Sequence, residues 1–145
     1  MESFYSNAEK KIVKTGLFDE IAKGIASGFV GQGKFGIYGV SKTQLRRLYD
    51  EVKRFEQNLD GTDETWEKNL PYIKMIKSKT SYNITRAIEK NRNEADVYKK
   101  LSEFITGGLD QVNDEKDYNV FTSLFEAVYG FYYKETIDKN IRGGN

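Results

Sequence analysis

From Tyr118 to Tyr132, apolar side chains return every three or four residues: Tyr118, Phe121, Leu124, Phe125, Val128, Tyr129 and Tyr132, with Phe131 and Tyr133 widening the stripe. At about 100° per residue this spacing covers one broad face of a helix. Such a face is covered only at the centre of a core. Aromatic rings also stack on nucleic-acid bases, but a stripe at helical spacing with acids beside it reads as core. The helix is predicted to start at Asn113 or Asp114, with acids in its first turn as the helix dipole favours, and to run to about Ile137. No alternating strand pattern of comparable strength appears. The predicted fold is all-α, a single-domain bundle of about five helices over residues 1–145.

The other helices follow from spacing and caps. Leu17, Ile21 and Ile25, with Phe18 and Ala22 beside them, predict a helix over Leu17–Ser27 ended by Gly28; residues 1–16 read as a polar, frayed start. Ser41 with Gln44 forms a capping box, and Val40 with Leu45 a hydrophobic staple. The helix they open buries Leu45, Leu48, Tyr49, Val52, Phe55 and Leu59 and stops near Asp60–Gly61. Thr62 or Asp63 caps the next segment, which meets Pro71, the only proline. One bent helix or two both fit a proline there. Asn93 and Asp96 open a further helix, with Val97, Tyr98, Leu101, Phe104 and Ile105 inward and Gly107–Gly108 at its end.

Gly31, Gly33 and Gly36 spell G-x-G-x-x-G, a pattern that can cradle phosphates in a strand–turn–helix setting. Here a helix precedes it and the next element starts afresh at Val40, so residues 29–40 read as a mobile glycine-rich loop.

Charge is unevenly placed. The net charge is +1, yet residues 1–92 hold 17 basic and 12 acidic side chains, and residues 93–145 hold 6 and 10. Between Lys68 and Arg92 seven cations face one acid, Glu89. On the predicted helix there, Ile73, Ile76, Thr80, Ile84 and Ala87 form the inward stripe, while Met75, Lys79, Tyr82 and Arg86 form a row on the other side. A cation, a ring and a second cation suit RNA or single-stranded DNA. The same row equally fits a ring packed on a neighbouring helix between solvated lysines. Lys74, Lys77, Arg46, Arg47 and Lys53 are supporting candidates by charge.

The chain contains no histidine and no cysteine. The usual general bases, thiol nucleophiles and imidazole or thiolate metal ligands are therefore missing, and the acids of Asn113–Asp117 read as the start of a helix. No enzyme activity, cofactor or metal is expected. No apolar run reaches the length of a membrane span and the N-terminus lacks the apolar core of a signal peptide, so a reducing cytoplasm is the expected location, with no membrane partner.

The segments GVSKTQLRRLYDEV, IKMIKSKTSYNITR and VFTSLFEAVYGFYYK resemble, in order and spacing, those of the small helical subunit of the type III-A (Csm) CRISPR RNA-guided effector complex. Thr43 and Arg46 match its Thr-x-x-Arg-like pattern, Lys79, Tyr82 and Arg86 its Lys-x-x-Tyr-x-x-x-Arg row, and Phe125, Glu126 and Ala127 its closing helix. Residues 1–38 match no pattern of that family. The resemblance implies a non-catalytic RNA-binding protein of antiviral defence. It would be present in several copies along the complex, contacting guide RNA, target RNA, other copies of itself, and the backbone and large subunits. Two other classes stay open: a helical adaptor without a nucleic-acid role, and a DNA-binding regulator using Arg46 and Arg47 near a helix start.

Overall fold

The computed structural model describes residues 1–141. Its five α-helices are α1 (Ala22–Ser27), α2 (Lys42–Asn58), α3 (Asp63–Lys90), α4 (Ala95–Leu109) and α5 (Glu115–Asp138). Two antiparallel hairpins precede α2: β1 (Tyr5–Asn7) with β2 (Ile12–Val13), and β3 (Val30–Gly33) with β4 (Gly36–Gly39). The all-α expectation holds, with these hairpins added to it.

Helix α5 lies at the centre, packed against α1, α2 and α4. Tyr118, Phe121, Leu124, Phe125 and Val128 are fully buried. Two of its tyrosines keep their hydroxyls satisfied by donating to backbone carbonyls: Tyr118 to Val52 at 2.8 Å and Tyr132 to Val40 at 2.7 Å. Burial thus costs these rings no lost hydrogen bond, and it drives both hydroxyl pKa values upward.

The caps resolve as Ser41 for α2, Thr62 for α3 and Asp114 for α5, each side-chain oxygen accepting from an amide three residues on. Pro71 lies inside one continuous α3. Both Pro71 and Glu67 lie on its exposed side, so the hydrogen bond that Pro71 cannot make to the Glu67 carbonyl is missing on the solvent side of the helix and not in the core.

Five sequence expectations are corrected. Residues 1–16 are not frayed: Phe4 is fully buried, and the Phe4 N–H donates to Gln111 Oε1 at 2.9 Å. The expected Leu17–Ser27 helix begins as a π-helical turn over Leu17–Ile21. Asn93 does not cap α4, which follows a 3-10 turn over Arg92–Glu94. Gly107 and Gly108 do not end α4 but lie within its last turn.

The glycine-rich stretch is an ordered hairpin, not a mobile loop. A Cβ on Gly31 would stand 2.6 Å from the Tyr38 ring and one on Gly33 3.2 Å away, so both glycines make room for that ring. Gly36, with φ of 116°, supplies the turn. The three glycines of the motif thus serve packing and a turn.

Candidate nucleic-acid interface

The inward stripe of α3 is buried as expected, and Met75, Lys79, Tyr82 and Arg86 share its exposed side. Tyr82 is 60% exposed. Arg86 Nη1 donates to Tyr82 Oη at 3.0 Å, and its guanidinium carbon stands 5.8 Å from the ring centroid. The ring and the cation are therefore held as a unit, one helical turn apart. The hydrogen bond to Tyr82 raises the guanidinium pKa further. Met75, Ser78, Lys79, Tyr82 and Asn83 line a shallow depression beside this unit.

Lys79 bridges two helices. Its Nζ donates to Glu51 Oε1 on α2 at 2.6 Å, and Arg54 Nη2 approaches the same oxygen at 3.6 Å. One carboxylate thus engages two cations and offsets part of their field. Arg54 joins the face in this way; its i, i+3 spacing from Glu51 is readable in the sequence, whereas the contact from Lys79 is not.

The supporting candidates fall elsewhere. Lys77 is turned about 200° from Lys79 and pairs with Asp110 beyond the end of α4. Lys74 is exposed and, among the described residues, makes no ion pair. On α2, Arg46 stands 3.8 Å from Asp50 and lines a cleft with Thr43, Tyr129 and Tyr133. Lys53 pairs with Glu56 at 3.1 Å, which raises its pKa. Arg47 is exposed. The eight expected residues therefore divide between a central row on α3, a flank toward α4 and the outer side of α2.

Among the described residues no group of three or more His, Cys, Asp or Glu is placed to hold a metal ion, and no helix is long and apolar enough to cross a membrane.

These features define a small helical-bundle protein whose exposed chemistry is a row of cations around an aromatic ring. Residues 17–136 match the model of the Csm2 Type III-A family, and the chain belongs to that family. It is a small subunit of the type III-A CRISPR effector complex. The match begins at Leu17, so residues 17–38, which the sequence resemblance left unmatched, belong to the family region as well. Comparison with curated proteins and with solved structures finds no match.

Proposed function

We propose that this subunit is a non-catalytic RNA-contacting component of its complex, working in the cytoplasm, and that the Lys79, Tyr82 and Arg86 row meets the guide and target RNA. The observation that carries this reading is Tyr82: a ring left 60% exposed, with a guanidinium fixed to its hydroxyl, on a helix whose opposite side is buried. The cations engage phosphates and the ring offers a stacking surface. Lys74, Lys77, Arg46, Arg47 and Lys53 lie away from this row, on the flank toward α4 and on α2, and extend the phosphate contacts to those sides of the bundle. Other copies of the chain, with the backbone and large subunits, align these faces along one RNA.

Replacing Lys79 and Arg86 together by alanine is expected to weaken RNA binding about tenfold and to reduce the salt slope by about one to two units, whatever the RNA sequence. Both side chains are exposed, so the melting temperature should change little. Tyr82→Ala should also weaken binding without unfolding, because the ring is not part of the core. An anisotropy titration across salt concentrations, paired with thermal melts, tests these statements. Salt-independent binding, a preference for one duplex DNA sequence, or loss of fold in these variants overturns the proposal.

Glu51 supplies a test of opposite sign. Glu51→Gln removes the anion that Lys79 and Arg54 share, and RNA affinity should rise about two- to fivefold. Unchanged or weaker binding in the same titration would mean that phosphate does not compete with Glu51 for these cations.

A further inference from the structure

The β3–β4 hairpin is firmly held, yet what it presents is apolar. Tyr38 fills the space above Gly31, and its hydroxyl donates to Asp96 of α4 at 2.8 Å. The Val40 N–H donates to the Phe29 carbonyl at 3.1 Å and closes the base. On this support the two turn residues are Lys34 and Phe35. Phe35 is 86% exposed, and the neighbouring Ile37 is 40% exposed. Lys34 Nζ stands 5.9 Å from the Phe35 ring centroid. A ring and a cation are thus set on a preorganised arm, where little ordering entropy is lost on docking.

The same chain carries a matching recess. Between α1, the π-helical turn and α4 lies a groove of about 460 Å³ floored by Leu17, Ile21, Ile25 and Phe104, within the range of about 300–1,000 Å³ typical of ligand clefts. Gly24 opens one wall, since a Cβ there would meet nothing within 4 Å. Three glutamates, Glu2, Glu20 and Glu103, border it against one lysine, Lys100. Glu2 and Glu103 are paired with Lys14 and Lys100 at 3.5 Å and 3.8 Å, while Glu20 makes no ion pair among the described residues. The arm does not fill its own groove: the exposure of Phe35 excludes that, and none of the residues around the turn lines the recess.

We infer that Phe35 of one copy inserts into this groove on a second copy, with Lys34 against Glu20. Both halves of the contact come from one chain, and their charges are opposite, which favours a second copy as the occupant. The contact rests on the reading that several copies align along RNA, and it gives that alignment a surface. Being confined to a turn and a groove, it is weak between free molecules and becomes effective when RNA holds copies side by side.

The test is sedimentation of the full chain across concentration, with binding curves on a short RNA that holds one copy and a long RNA that holds several. Phe35→Ala should lower the association constant about tenfold or more and remove cooperativity on the long RNA. Its thermal melt and its binding to the short RNA should be unchanged. Lys34→Glu and Glu20→Lys should each weaken association, and the two together should restore it. Association indifferent to Phe35, a charge swap that restores nothing, or a wild-type chain that neither associates nor binds long RNA cooperatively overturns the inference. Loss of Phe35-dependent incorporation into the complex without any self-association would assign the arm to another subunit and also overturn it. RNA binding that survives all of these leaves the RNA reading standing. Phe35-dependent association without RNA binding instead sinks the RNA reading alone.

Discussion

Asp117→Ala is expected to lower the melting temperature by about 10 °C, corresponding to about 3 kcal/mol in a domain of this size. Asp117 is 1% exposed and accepts from Lys11 Nζ at 2.7 Å, from the Tyr5 hydroxyl, and from the Asn113 N–H at 3.0 Å. Removing it leaves the Tyr5 hydroxyl and the Asn113 N–H without their acceptor where α5 meets the first hairpin, while Lys11 keeps Asp114 at 3.4 Å. A partly exposed Lys11 can regain water, which keeps the loss at the lower end of the range for a broken buried pair. The hairpin it anchors leads into Met1–Ser3, which border the groove, so self-association should weaken along with stability.

The same residue sets a pH dependence. Burial alone would raise the Asp117 pKa, but the hydrogen bonds from Lys11 and Tyr5 outweigh it, and the net shift is downward. A carboxylate with a lower pKa folded than unfolded contributes stability that is complete above the ordinary aspartate range. That contribution is lost as the pH falls through the folded value. Thermal melts from neutral to acidic pH should show a drop that is smaller in Asp117→Asn than in the wild type.

Gly108→Ala should destabilise by about 2 kcal/mol, or about 5 °C, whereas Gly130→Ala should stabilise by about 0.5–1 kcal/mol. Both glycines lie inside helices, where alanine has the better propensity. A Cβ on Gly108 overlaps the ring of Phe121, which is fully buried and already packed edge and face against Phe104, Phe125 and Tyr118. The ring has nowhere to go. A Cβ on Gly130 meets nothing within 4 Å. Melting curves of the two variants should move in opposite directions, and equal shifts of either sign would contradict this packing.

The α3 row was legible because it needs only local rules. Spacings of three and four place Lys79, Tyr82 and Arg86 together on any helix, and a buried stripe through Ile73 and Ile84 turns them outward. The partner of Lys79 was not legible, since Glu51 lies 28 residues away on another helix. The second hairpin was misread for a related reason. Its glycines look like flexibility along the chain, and they become rigidity only when the Tyr38 ring occupies the space they leave.

By itself, then, the sequence determined the helical class, the cap at Ser41, the central place of α5 and the outward row on α3. Each depends on groups within about one turn, where propensity, capping and periodicity act directly. Tertiary structure alone decided the continuity of α3 through Pro71, the role of Gly108 as room for Phe121, the docking of the first hairpin through Asp117, and the sharing of Glu51 by Lys79 and Arg54. Each of these joins groups distant in the chain or turns on which side of a helix meets water, and no local rule assigns such pairings before the core has closed.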